Sequence, residues 1–242
     1  MTLRYIALFM GDESGFEDGF TSQFDYNTRF ISNYLSIQIR KLKYVTDGTF
    51  KMIGVTPTLD IKHTCRVVPE DALQASISFN RDKYEKMAEV DKYEYYLQLL
   101  EEGYRICSQY KNIPLEQLLT LHQDFRDNNF RNEWLHKKKR FKEHGIEVSL
   151  NCFFTSFDFQ LKMSVYDMRS KAELASGTVI RTLPNEQHFA HYFKDIVIEN
   201  NELIITEFQD HPKFKFSLPD IFDGKFSFEI TDEGVPYKPY SG

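Results

Sequence analysis

Apolar and polar residues alternate along much of this chain, and the period changes twice. Residues 3–10 form an apolar run that predicts a buried strand. In residues 59–67, Leu59, Ile61, His63, Cys65 and Val67 share one parity, with Asp60, Lys62, Thr64 and Arg66 on the other. Leu73, Ala75, Ile77 and Phe79 repeat the pattern. A period of two places successive side chains on opposite faces, so both segments read as strands with one wet face. Asp47-Gly48, set between Tyr44, Val45, Thr46 and Thr49, Phe50, predicts a hairpin with a two-residue turn. Residues 20–40 fit two periods: Phe30, Ile31, Tyr34 and Leu35 suit a helix, whereas Leu35, Ile37 and Ile39 suit a strand.

Residues 80–144 change character. Asn80 is placed to cap a helix that runs to Tyr110 without proline, its charges alternating in sign. Asn112, Ile113 and Pro114 break it. A second helix is predicted to carry Leu115, Leu118, Leu119, His122, Phe125, Trp134 and Phe141 inward, to finish on the basic run 137–142 and to stop at Gly145.

Alternation then returns. Val148, Leu150, Cys152 and Phe154 share a face, as do Phe157, Phe159, Leu161, Met163 and Val165. Residues 174–183 read as a further strand, 184–194 as a short helix, and 195–208 as a hairpin turning at Asn200-Asn201. Phe214 and Phe216 alternate with Lys213 and Lys215, which are expected to face outward, and Phe226, Phe228 and Ile230 form a last strand. The expected fold is α+β: one domain, 1–242, of about ten strands in mostly antiparallel sheet, with a long central helical hairpin. Its parts are a β-rich region 1–79, the hairpin 80–144, a second β-rich region 145–233 and a loose tail 234–242.

Composition adds a large buried surface: 22 Phe and 14 Tyr stand against 11 Gly and 8 Pro. Cys65, Cys107 and Cys152 have no CxxC spacing and read as small core residues in a reducing compartment. No apolar stretch approaches the roughly 20 residues that cross a bilayer, so a cytoplasmic protein without membrane contact is expected. Charge is uneven. The net charge is −6, and residues 145–242 carry all of it. Within 195–233 ten carboxylates face three lysines. An acidic balance disfavours nucleic acid as a partner and suits a basic protein.

Candidate chemistry is sparse. Arg131 and His136, with four residues between them, resemble the active-site signature of HEPN-type ribonucleases. That resemblance implies an all-helical setting, the imidazole as acid/base and the guanidinium on the scissile phosphate. His188 and His191 have the spacing of a zinc pair but no further ligands, and His63 with Cys65 has that of a nucleophile pair whose apolar neighbours indicate core. No phosphate loop, nucleophile elbow or dinucleotide fingerprint occurs, so no cofactor, metal or catalytic residue is expected.

In the acidic segments 11–19, 195–208 and 219–233, joined to an α+β pattern without a catalytic motif, the chain resembles bacterial immunity proteins. The resemblance implies a cytoplasmic, non-enzymatic binding protein that neutralises a cognate toxin, with a basic toxin domain as partner. The contact residues would be Asp12, Glu13, Glu17, Asp18, Glu199, Glu202, Glu207, Asp210, Asp220 and Asp223, acting at loop ends. A scaffolding role in a larger assembly is the remaining alternative, since exposed aromatics also mark interfaces.

Overall fold

The computed structural model describes residues 1–11, 14–59 and 64–231. They form an α+β protein whose three four-stranded sheets are mostly antiparallel. The chain divides into two compact units, 1–132 and 133–242, each with its own sheet structure and core.

The first unit contains β1 (Tyr5–Leu8), α1 (Asp18–Leu42), β2 (Met52–Thr58), β3 (Thr64–Val68), β4 (Ala72–Ser78), α2 (Arg81–Glu85), α3 (Glu89–Tyr110) and α4 (Leu115–Asp127). Its sheet runs β1-β2-β4-β3. Only β3 and β4 pair antiparallel; β1 with β2 and β2 with β4 are parallel. This departs from the antiparallel expectation because residues 20–40 resolve as a helix. A parallel pair needs a long crossover, and α1 supplies it between β1 and β2.

The placement of α1 follows from a polar stripe. Odd-numbered residues of the first strand donate to β2, with Tyr5 N to Lys51 O and Phe9 N to Val55 O. The even-numbered amides on the free edge are met by α1 side chains. Met10 N donates to Asp25 Oδ1 at 2.7 Å, Leu8 N to Ser32 Oγ at 3.1 Å and Ile6 N to Ser36 Oγ at 3.0 Å. In return, Thr28 Oγ1 donates to Leu8 O, Ser36 Oγ to Ile6 O and Arg40 Nη1 to Arg4 O. Four residues of helix advance about 6 Å and two residues of strand about 6.6 Å, so residues 32, 36 and 40 keep step with 8, 6 and 4. The sheet edge that would otherwise offer unpaired backbone groups is closed by hydroxyls.

On the sheet, α3 buries Tyr96, Leu97, Leu100, Tyr104 and Cys107. It approaches β2 so closely at Gly103 that a methyl there would overlap Val55. The aromatic excess fills this unit: Phe16, Phe20, Phe24, Phe79, Tyr84 and Tyr96 form one network of ring contacts, and Phe30, Tyr34, Tyr93, Phe125 and Phe130 another. Asn80 caps α2 by accepting from Lys83 N, but the helix read from there to Tyr110 is interrupted, since α2 ends at Glu85 and α3 begins at Glu89. The expected hairpin at Asp47-Gly48 is a side-chain-capped turn instead. Asp47 accepts from Thr49, while Thr46 N donates to Met1 O and Leu3 N to Tyr44 O, so the segment pairs with the chain start. Residues 60–63, half of the strand read over 59–67, lie outside the described residues.

The helical hairpin is α3 and α4, and it ends at Asp127. Residues 132–141, read as the end of its second helix, are β5 (Asn132–Phe141). The reason lies in the basic run. Lys138 and Arg140 both reach Glu147 at 2.6 Å, while Lys137 and Lys139 lie 3.3 and 3.4 Å from Asp195. A period of two thus matches each face of the strand to one carboxylate, and a helix would offer neither.

In the second unit β5, β6 (Ile146–Phe154), β7 (Phe159–Asp167) and β8 (Glu173–Thr182) follow in sequence order. The expected inward residues Val148, Leu150, Cys152, Phe154, Phe159, Leu161, Met163 and Val165 are buried, but Phe157, read with them, precedes β7 in the turn and is exposed. A 3-10 turn, Glu186–His188, leads to Phe189 and Phe193, whose rings stack with Phe159. The other sheet runs β12-β11-β10-β9: β9 (Asp195–Glu199), β10 (Glu202–Thr206), β11 (Pro212–Ser217) and β12 (Glu229–Ile230), with α5 (Leu218–Phe222) following β11. The expected turn is present, with Asn200 at φ 50° and Asn201 at φ 64°. The tail 234–242 lies outside the described residues.

Candidate functional site

The β9–β10 turn and α5 meet at one end of the second unit's β9–β12 sheet. The paired asparagines tolerate positive φ, which makes the two-residue turn possible. That turn sets Glu199 directly opposite Glu202. Like charges at opposed positions repel, and Lys215 on β11, 3.8 Å from Glu202, partly compensates. The chain then leaves β11 through Ser217, whose hydroxyl accepts from Asp220 N and caps α5. Leu218 N donates to Asn201 O at 3.0 Å, which fastens α5 to the turn. Leu218 and Ile221 are buried, whereas Phe222, the last residue of α5, is 49% exposed. Asp220 and Asp223 flank it, 3.6 and 3.4 Å from Lys225. Four carboxylates, two lysines and one exposed aromatic ring therefore occupy one end of the sheet.

Within the second unit, Glu207 and Asp210 are not part of this cluster. They lie at the opposite end of β10, about 17 Å away for a five-residue strand. Glu207 is wholly buried, contrary to its expected role in partner contact. Its Oε1 accepts from Gln209 N and His211 N and pairs with His211 Nδ1 at 3.1 Å, so the carboxylate organises the turn into β11. Lys213, expected to face outward, is buried as well and donates from Nζ to Thr231 O at 2.9 Å. The alternation is correct for Phe214 and Phe216, which Phe226 and Phe228 cover, but Lys213 is held in by the chain just after β12, where Thr231 N also donates to Lys213 O. Asp210 is exposed and pairs with Lys194 at 2.7 Å.

In the first unit Glu17 binds Arg81 at 2.7 Å, and this guanidinium also holds Glu85 and lies 4.4 Å over the Phe20 ring. A backbone hydrogen bond and Arg81 hold the Glu17 carboxyl below the ordinary carboxylate range. Asp18 opens α1, where the helix dipole favours its charge. Asp12 and Glu13 lie outside the described residues, as does His63. Among the described acidic residues of the second unit, Glu199 and Glu202 share the turn to which α5, carrying Asp220 and Asp223, is bonded, and sequence reasoning missed Phe222 between these two aspartates. Ser217-Leu218-Pro219 marks a capped helix start, but helical phase sets Phe222 near Leu218, so its exposure was not legible in the sequence.

Arg131 and His136 do not have the helical setting that the ribonuclease resemblance implies. Arg131 precedes β5 and His136 lies within it. The His136 ring sits edge-on to Phe193, 4.7 Å between centroids, with Nε2 3.4 Å from Lys194 O. Burial pushes its pKa down. Among the described residues no group of His, Cys, Asp and Glu could hold a metal ion, and no helix is long and apolar enough to cross a membrane. Comparison with known families, with characterised proteins and with solved structures finds no match for this chain.

Proposed function

We propose that this chain is a binding protein that neutralises a basic protein partner in the cytoplasm, in the manner of an immunity protein against a toxin. The observation that carries this reading is the end of the β9–β12 sheet, where Phe222 stands exposed among Glu199, Glu202, Asp220 and Asp223. An aromatic ring rimmed by charge is the pattern of an interface centre, with the ring supplying affinity and the carboxylates steering encounter. The lysines at 3.4–3.8 Å from three of these carboxylates are exposed or half-buried and can release them to a cationic partner at little cost, because surface ion pairs contribute about 0–1 kcal/mol. Contact at turns rather than over a sheet face agrees with where the charge sits.

The test first asks whether a basic toxin domain is encoded beside this gene, then measures its binding to the chain by titration calorimetry and stopped-flow association at two salt concentrations. Phe222→Ala is expected to weaken binding by about 30-fold or more, the size of a central aromatic anchor. Neutralising Glu199, Glu202, Asp220 and Asp223 together to amides is expected to slow association about tenfold and flatten its salt dependence. Affinity unchanged by both sets of substitutions would remove this surface from the interface.

A further inference from the structure

Cys65 and Cys107 lie 42 residues apart in sequence, and their sulfurs are 3.6 Å apart. Both are free thiols. Cys65 is on β3, the outer strand of the first unit's sheet, and is partly exposed; Cys107 is in α3 and fully buried. The pair is asymmetric in a chemically useful way. With both thiols protonated Cys65 donates its S–H to Cys107; once Cys65 gives up its proton, the Cys107 S–H is the donor to the thiolate, which favours charge on the accessible sulfur and lowers its pKa. The same hydrogen bond, with burial, pushes the Cys107 thiol far up. Thiolate character and access decide which cysteine reacts first with an oxidant. The third cysteine, Cys152, lacks both: it is buried in β6, and burial alone raises its pKa.

We propose that Cys65 and Cys107 form a redox modification site in which a hydroperoxide closes a disulfide between β3 and α3. The Cys65 thiolate attacks the outer peroxide oxygen, the O–O bond breaks, and Cys65 becomes a sulfenic acid while the hydroxide or alkoxide that leaves takes back from solvent the proton Cys65 had released, giving water or an alcohol. The Cys107 sulfur then attacks the Cys65 sulfur, its proton going to the departing hydroxide, which leaves as a second water. Two thiols are oxidised by two electrons and one hydroperoxide is reduced. Bond formation requires the sulfurs to approach from 3.6 Å to about 2.0 Å, within reach of side-chain rotation at the partly exposed Cys65. The product ties the sheet's outer strand, which pairs only with β4, to the helix beneath it.

The experiment treats the full, reduced chain with hydrogen peroxide, then counts thiols in denaturant and measures intact mass. Two of the three thiols are expected to disappear with a mass loss of two hydrogens, and digestion should give a peptide pair joined through Cys65 and Cys107. Cys65→Ser should abolish that loss, and Cys152→Ser should leave it intact. Cys107→Ser should stop at a sulfenic acid on Cys65 that dimedone captures. The oxidised protein should melt roughly 5–10 °C higher, since the bond closes a 42-residue separation. Survival of all three thiols, or the same mass loss in Cys65→Ser, would overturn the proposal. So would a wild-type product in which Cys65 is over-oxidised while Cys107 stays free.

Discussion

At the scale of single residues, two glycines mark the tightest approaches in the molecule. A methyl on Gly103 would overlap the side chain of Val55, which is buried and β-branched and has no free rotamer to retreat into. Gly177 on β8 lies under the Phe226 ring, and a methyl there would overlap it. The two cases differ in what can move. Phe226 is half-buried in a segment with little regular structure, whereas Val55 is held in mid-sheet between β1 and β4. Gly103→Ala is therefore expected to cost about 2–3 kcal/mol, the upper range for overpacking, and Gly177→Ala about 1 kcal/mol. Urea denaturation of both variants checks the order; a larger loss for Gly177→Ala would show that Phe226 is the more firmly held ring.

At the scale of elements, α1 acts on β1 as a neighbouring strand would, through hydroxyls in place of backbone groups. Ser36 is the centre of that arrangement because it both accepts from Ile6 N and donates to Ile6 O. Ser36→Ala leaves two buried backbone groups without a partner, at an expected cost of about 2–3 kcal/mol. Hydrogen exchange provides the specific readout: the Ile6 amide should lose protection while the Phe9 amide, bonded to β2, keeps it. Equal loss at both would mean that the helix does not hold the edge. The stripe was visible in the sequence as Thr28, Ser32 and Ser36, but small polar residues on a helix ordinarily read as a wet face. β5 was hidden for a related reason. Lys137, Lys138, Lys139 and Arg140 are all cationic, so hydropathy has no period there, and only Glu147 and Asp195 divide them into two faces.

At the scale of the whole molecule, two buried groups of opposite sign shape the response to pH. Burial raises Asp25 to about 6 from 3.8, against the opposing pull of the Met10 amide and Arg29. Between those values the native state holds a proton that the unfolded chain has released, so stability present below pH 3.8 is lost as pH rises through 6. His122 behaves conversely. Burial lowers it to about 4 from 6.5, so stability present above pH 6.5 is lost as pH falls through 4. The two contributions oppose each other between pH 4 and 6 and flatten the profile of the wild type. Asp25→Asn keeps an acceptor for Met10 N and removes only the first contribution. The variant is expected to gain on the order of 2 kcal/mol over wild type at pH 7.5, and the gain should vanish below about pH 4. Melting curves at several pH values measure it, and a difference independent of pH would exclude Asp25 as the titrating group.

The sequence by itself determined the elements whose side chains alternate between oil and water. The strands carrying Val148 to Phe154 and Phe159 to Val165, the Asn200-Asn201 turn and the Asn80 cap are local consequences of period and backbone preference, and neighbours far along the chain did not change them. The tertiary structure alone decided what each charge faces. Glu207 and Lys213 are buried because the turn at Gln209 and the chain just after β12 close over them, and Asp195 is neutralised by lysines more than fifty residues earlier. The same holds for Cys65 and Cys107, which met only when β3 settled on α3. Alternation reports which side of a strand is wet, because burial acts on each side chain by its own hydropathy. Pairing depends on distance through space, and the spacing of residues along a chain carries no record of it.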